Sequence, residues 1–155
     1  MDLETHPYIV RAHFVDRIAN RNYIAMSYVA PNEEGINSLA GYLQSHPPDL
    51  SQCLRWAIQI CYGMEHAYSR GIRAHRDLKP ANILIGYDNT VKITDFGLAG
   101  VLEVEGAAGT PSHMPPEQFT DAASCDERSD IYAFGVVLYQ MVTGGESSVH
   151  RSVGE

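Results

Sequence analysis

A chain of 155 residues, 45% of them hydrophobic, is long enough to close one core of its own, and a formal net charge of −8 without any basic stripe argues against nucleic acid as a partner. Cys53, Cys61 and Cys125 are odd in number and lack metal-ligand spacing, which fits core thiols in a reducing compartment better than a disulfide framework. The longest apolar stretch, Ile131 to Val142, is about a dozen residues, short of the roughly 20 that span a bilayer, and the opening residues do not read as a secretory leader, so a cytoplasmic location is expected.

From the start of the chain, Ile9 to Val15 and Tyr23 to Tyr28 are rich in aliphatic and aromatic residues and predict two strands, separated by the polar stretch Asp16 to Asn22. Pro31 to Gly35 breaks the second strand. Ser38 to Gln44 predicts a short helix, and His46-Pro47-Pro48 a linker. Asp49 with Gln52 three residues on fits a capping box, with Ser51 a competing cap. Leu54, Ala57, Ile58, Cys61, Met64 and Tyr68 then recur at helical spacing until Gly71. Cys53 and Cys61 fall inside that pattern and are expected in the core. This helix carries no chemistry of its own; it holds the loop that follows.

That loop opens the most informative stretch, residues 75–97, which reads HRDLKPANILIGYDNTVKITDFG. Ile83 to Ile85 and Val91 to Ile93 are β-branched or aliphatic runs, and Gly86 to Thr90 between them is turn chemistry. A hairpin of this kind brings its two ends together, so Asp77, Asn82 and Asp95 are expected to converge. Two carboxylates and an amide at one point suit a hard cation and a phosphate group. Farther on, Ile131 to Thr143 is apolar on nearly every face, which predicts a helix surrounded by other elements, with Ser129 or Asp126 as its cap.

His75-Arg76-Asp77-Leu78-Lys79-Pro80 with Asn82, followed by Asp95-Phe96-Gly97, resembles the catalytic loop and metal-binding tripeptide of the protein kinases, and the likeness extends from end to end of the chain. The resemblance implies an α+β, protein-kinase-like fold. Residues 1–30 would be the last two strands and hinge of the small lobe, and 31–155 the helical large lobe through its central helix. It implies ATP and Mg2+ as cofactors and a protein substrate with a Ser or Thr acceptor. By the same resemblance Asp77 orients the acceptor hydroxyl and takes its proton, Lys79 meets the γ-phosphate, and Asn82 and Asp95 ligate magnesium. Met26 becomes the gatekeeper of the adenine pocket. The Ser27 carbonyl and Val29 amide become the hinge contacts, and Leu84 the floor beneath adenine, resting on Val137 and Met141. His75 and Phe96 stack in the column that links the lobes, with Ala12 at its strand end, while Asp130 tethers the backbone of the catalytic loop.

Lys79, two residues after Asp77, follows the serine/threonine pattern, and Thr110 in Gly109-Thr110-Pro111 agrees, its hydroxyl bridging Asp77 and Lys79 in that pattern. Ser112 to Glu117 departs slightly from the family ending, with Pro115 in the usual Ala position; Glu117 is kept. Pro116-Glu117-Gln118-Phe119 and the run Ser129 to Gly135 resemble bacterial serine/threonine kinases most closely. No Ser, Thr or Tyr lies between Gly97 and Gly109. Either Glu103 or Glu105 therefore stands in for a phosphate opposite Arg76 and keeps the segment ordered, or both are simply solvated.

A Gly-rich phosphate loop, the strand-three Lys and its partner Glu are not found in the sequence. Met1 to Thr5 falls where the helix bearing that Glu would end, and the usual Arg partner of Glu117 is missing too. The expectation is a piece of a longer kinase that by itself binds ATP poorly and exposes apolar surface. Two other classes compete. A pseudokinase or scaffold would keep the fold for binding, against which stand Asp77, Asn82 and Asp95. A small-molecule kinase of the antibiotic-phosphorylating type would not need Arg76, Lys79 or the segment Gly109 to Glu117. Ala81 in place of the Glu common before Asn82 leaves no basic-residue preference to carry over.

Overall fold

The computed structural model of the chain describes residues 5–19, 21–96, 111–120 and 125–144. Strands β1 (Ala12–Ile18) and β2 (Arg21–Met26) pair antiparallel, from Ala12 opposite Met26 to Ile18 opposite Arg21. The polar stretch Asp16 to Asn22 is thus mostly ladder, not loop: Asp16, Arg17, Ile18, Arg21 and Asn22 all pair. A tight hairpin needs positive φ in its turn to match the strand twist, and Ala19 supplies it at 48°. Polarity misplaced the boundary because every residue of β1 is exposed, so no inward face marks it as a strand.

A second hairpin, β3 (Ile83–Ile85) and β4 (Val91–Ile93), pairs Ile83 with Ile93 and Ile85 with Val91. Ile9 and Val10, expected in the first strand, lie instead beside this hairpin. Ile9 bridges Ile93 in parallel, Val10 N donates to Ile93 O at 2.8 Å and Ile93 N to Tyr8 O at 2.9 Å. Both are buried there, which the exposed first hairpin does not offer.

Helix α1 (Leu39–Ser45) is capped by Ser38, whose hydroxyl accepts from Gly41 N at 3.2 Å. Helix α2 (Leu50–Ser69) is capped by Asp49, not Ser51: the carboxylate accepts from Gln52 N at 2.7 Å. It stops at Arg70, and Gly71 follows at φ 85°, left-handed backbone that glycine adopts without a Cβ penalty. The buried face of α2 is Cys53, Trp56, Ile60, Met64 and Ala67. Leu54, Ile58 and Cys61 are exposed, so the expected core placement of Cys61 does not hold, whereas Cys53 is buried with its thiol on the Met141 carbonyl at 3.4 Å. Two apolar stripes run along this helix at the same period, and spacing cannot say which one the core takes.

Helices α3 (Pro116–Thr120) and α4 (Glu127–Thr143) are the remaining α-helices among the described residues. The cap of α4 is Asp126, which accepts from Arg128 N at 2.9 Å, so the helix begins at Glu127 and not at Ile131. The Arg128 guanidinium holds the Asp126 carboxyl down to about 2. Ala133, Val136, Val137 and Met141 are buried, but Ile131, Tyr139 and Val142 are exposed. The expectation of a helix surrounded on all sides is thereby corrected: among the described residues only one face is covered. Between α2 and α4 an apolar groove of about 260 Å³ lies open, lined by Ile60, Cys61, Met64, Tyr68, Ile131 and Phe134.

Trp56, Ile60, Leu78, Ile83, Ile85, Val91, Ile93, Val137 and Met141 form the core. Trp56 alone, 1% exposed, removes enough apolar area from water for about 4–6 kcal/mol of transfer free energy. Its indole N–H donates to Asn89 O at 3.2 Å, and Gln59 Oε1 accepts from Val91 N at 2.8 Å, so α2 grips the turn and the second strand of the hairpin. Gly63 permits the close approach: a Cβ there would stand 2.9 Å from Ile93 Cδ1 and 3.0 Å from Tyr8 O. Leu84, half-exposed, alternates away from this core. The expected seat of Leu84 on Val137 and Met141 is therefore not found; Ile83 and Ile85 share that cluster. No helix among the described residues is long and apolar enough to cross a membrane.

Candidate active site

The loop between α2 and β3 ends in a single 3-10 turn, Pro80–Asn82. Asp77 sits before it, and its Oδ2 accepts from Lys79 Nζ at 2.8 Å and from Asn82 Nδ2 at 3.0 Å. The Asn82 amide also donates to the Asp77 carbonyl at 2.9 Å, which fixes the side chain to the loop it serves. Across the hairpin, Thr94 N donates to Asn82 O at 3.0 Å. The Ile83–Ile93 pairing carries Asn82 opposite Thr94, and Asp95 is the next residue. One end of the hairpin thus brings Asp77, Lys79 and Asn82 beside the strand end that leads into Asp95.

Both acids stand next to or on unusual backbone. Arg76 has φ 70° and Asp95 φ 64°, left-handed values that cost an L-residue about 1–3 kcal/mol each. Such a conformation persists only where its surroundings hold it. Asp130, buried at the first turn of α4, accepts from His75 N at 2.6 Å and Tyr68 Oη at 2.9 Å on Oδ2, and from Arg76 N at 3.0 Å on Oδ1. Burial and the Asp130 carboxylate push the Tyr68 hydroxyl far up, so it stays a donor.

His75 is fully buried, and desolvation lowers its pKa, partly opposed by Asp130. Its Nδ1 accepts from Asp77 N at 3.3 Å, which leaves Nε2 as the donor to Thr94 O at 2.9 Å. Its ring lies 4.8 Å from that of Phe96. The imidazole therefore does more than pack: it ties the amide of Asp77 to the residue before Asp95. Ala12, placed by resemblance at the top of this column, is exposed and pairs with Met26.

Met26 ends β2, and its Sδ accepts from Thr94 Oγ1 at 3.6 Å. Ser27 N is taken by Arg11 O and Val29 O by Asn37 Nδ2. Among the described residues the Ser27 carbonyl and the Val29 amide make no hydrogen bond, so an acceptor and a donor are presented two residues apart. Leu84 lies on the outward side of β3. Glu117 Oε1 accepts from Ser129 Oγ at 3.0 Å, which joins α3 to α4. Gly97, Glu103, Glu105 and Thr110 lie outside the described residues.

The donor set fits a hard divalent ion. Asn82 commits its Nδ2 to Asp77, which leaves Oδ1 as its ligating atom, and Asp95 adds a carboxylate. No group of three His, Cys, Asp or Glu side chains gathers among the described residues, so the fit rests on the Asn82 amide oxygen and the Asp95 carboxylate alone. Two residues at this site escaped the sequence reading. Tyr68 was visible only as part of a helical stripe, although a phenol on a buried face calls for a partner. Gln118, whose Nε2 donates to Arg76 O at 3.0 Å, gave no signal beyond its neighbours.

Comparison with known proteins agrees with this geometry. The protein kinase domain model matches residues 1–153. The chain is 33% identical over 147 residues to the putative 3-phosphoinositide-dependent protein kinase 2 of Homo sapiens, covering 90% of this chain and 35% of that protein. It is 33% identical over 156 residues to the probable serine/threonine-protein kinase PknB of Lactococcus lactis, covering 94% and 24%. With the serine/threonine-protein kinase PrkC of Bacillus subtilis it shares 35% identity over 156 residues, covering 93% and 23%. The chain thus spans between about a quarter and a third of the length of these relatives. Across almost its whole length, with its α+β architecture and catalytic loop, it belongs to the protein kinase family.

Proposed function

We propose that this chain supplies the catalytic loop and metal-binding strand of a protein serine/threonine kinase, which moves the γ-phosphoryl group of ATP to a Ser or Thr hydroxyl. The observation that carries the reading is the Asp77 carboxylate held by Lys79 and Asn82 beside the strand end that bears Asp95. Phosphoryl transfer asks a protein mainly to position groups and to neutralise charge. Asp77 orients the acceptor hydroxyl and takes its proton. Lys79 is the cation beside the transferring group, and Thr110 is assigned by the family resemblance alone to bridge Asp77 and Lys79. Asn82 and Asp95 would hold Mg2+, which when bound neutralises charge on the phosphates. Met26, Ser27, Val29 and Leu84 line the adenine site, with the open Ser27 carbonyl and Val29 amide matching a purine edge.

We place the division between small-lobe and large-lobe portions at residues 30 and 31; that the two hairpins belong to separate sheets supports it. A cytoplasmic location is supported by three cysteines that are all free. The test is transfer of label from γ-labelled ATP by the native polypeptide to a mixed Ser/Thr/Tyr peptide pool, followed by phosphoamino-acid analysis. Label on phosphoserine and phosphothreonine is expected. Label on tyrosine alone, or on nothing, overturns the reading.

A further inference from the structure

The peptide unit that joins Arg76 to Asp77 is clamped at both polar ends. Its N–H, that of Asp77, donates to His75 Nδ1 at 3.3 Å, and its carbonyl, that of Arg76, accepts from Gln118 Nε2 at 3.0 Å. The residue before this unit is the one at φ 70°. Rotation of this plane changes ψ of Arg76 and φ of Asp77, and so alters the angle at which the Asp77 side chain leaves the loop toward Lys79 and Asn82. Asp130 holds the preceding amides, those of His75 and Arg76, but a carboxylate only accepts and cannot bond the Arg76 carbonyl. Gln118 is 4% exposed, and burying a polar amide is costly unless it is bonded. It lies on α3, next to Glu117, whose carboxylate is bonded to Ser129 on α4.

We propose that Gln118 is a positioning residue for Asp77: by holding the Arg76 carbonyl it makes the aim of the catalytic acid conditional on the seating of the 111–120 segment against α4. The inference rests on the kinase reading for its kinetic consequence, and on geometry alone for its structural one. Gln118→Met keeps the volume and removes the donor. Gln118→Glu is nearly isosteric and donates only when protonated.

In the native polypeptide Gln118→Met should lower kcat for peptide phosphorylation about ten- to a hundredfold, as a small misplacement of a catalytic group does, with the dissociation constant of a fluorescent ATP analogue unchanged. In an Asp77→Asn background the same change should have no further effect on kcat, because the group it aims is gone. Amide exchange at residues 75–77 should quicken about tenfold in Gln118→Met, while α4 amides stay as in the wild type. The Gln118→Glu defect, taken relative to wild type at each pH, should shrink as pH is lowered from about 8 to about 6, since a buried carboxyl titrates upward. Equal losses with and without Asp77, or unchanged exchange at residues 75–77, would overturn the inference. If the wild type transfers no phosphate, the kinase reading fails, and the exchange experiment alone decides the role of Gln118. If Gln118→Met does not fold, the pH-dependent recovery of Gln118→Glu takes its place, and its absence counts against the proposal.

Discussion

Asp130→Asn tests how the catalytic loop is held. The carboxylate is 3% exposed, and its oxygens accept from Tyr68 Oη, His75 N and Arg76 N at 2.9, 2.6 and 3.0 Å. A hydrogen bond to an ionised acceptor contributes about 1.5–3 kcal/mol. The amide keeps the shape but removes the charge, and it turns one acceptor into a donor that must face donors. Orienting its oxygen toward His75 and Tyr68 sacrifices the Arg76 bond and weakens the other two to neutral strength. Part of that loss is offset, because removing a buried charge relieves a desolvation cost of several kcal/mol. The net destabilisation is about 2–3 kcal/mol, which lowers the melting temperature of a domain this size by about 4–12 °C. Thermal unfolding followed by circular dichroism measures the shift. Amide exchange at His75 and Arg76 should rise with it, since their partner is weakened and Arg76 can then relax from φ 70°. A melting temperature within about 1 °C of wild type, together with unchanged exchange at those two amides, would show that the tether does not hold the loop.

Asp77→Asn should lower kcat by about 10²–10⁴ while leaving nucleotide affinity nearly intact, as for loss of a general base; steady-state kinetics read both, and a matching rise in the dissociation constant would point to binding instead. Asp95→Asn should raise the Mg2+ concentration for half-maximal transfer, and chelation should abolish transfer reversibly; transfer that persists in excess chelator would remove Asn82 and Asp95 from that role. Burial holds the folded pKa of His75 below the ordinary histidine value of about 6.5, so the folded state binds fewer protons than the unfolded one. The His75 contribution to stability is therefore fully present above about pH 6.5 and is lost as pH falls below it, with a slope of up to about 1.4 kcal/mol per unit for one proton. His6 shifts in the same direction, by burial first and then the nearby His66. Urea unfolding at a series of pH values checks this, and stability that is flat or rising on acidification refutes it. Gly63→Ala should destabilise by about 1–3 kcal/mol through overpacking, because its Cβ would press on the Tyr8 carbonyl at 3.0 Å and on Ile93; an unchanged denaturation midpoint would mean α2 can shift away from segment 8–9 without cost.

By itself the sequence determined the local chemistry of this protein. Turn residues between two aliphatic runs specified the β3–β4 hairpin, and Asp49 and Gly71 specified the ends of α2, because a cap or a turn is settled by a few adjacent residues. Spacing in residues 75–97 brought Asn82 to the strand end that leads into Asp95, since one tight hairpin leaves its ends nowhere else to go. What depends on packing between distant segments could not be read this way. Leu54 and Ile58 carry the same hydrophobic period as Trp56 and Ile60, and only the hairpin pressed against one side of α2 chose between them. Ile9 and Val10 left their expected strand for β4 because a buried edge was available there. Gln118, 42 residues from Arg76 in the chain, reaches the Arg76 carbonyl only because α3 is seated against α4. A polar side chain shows its partner in the sequence when the partner is a neighbour; when the bond closes a long loop, folding alone decides it.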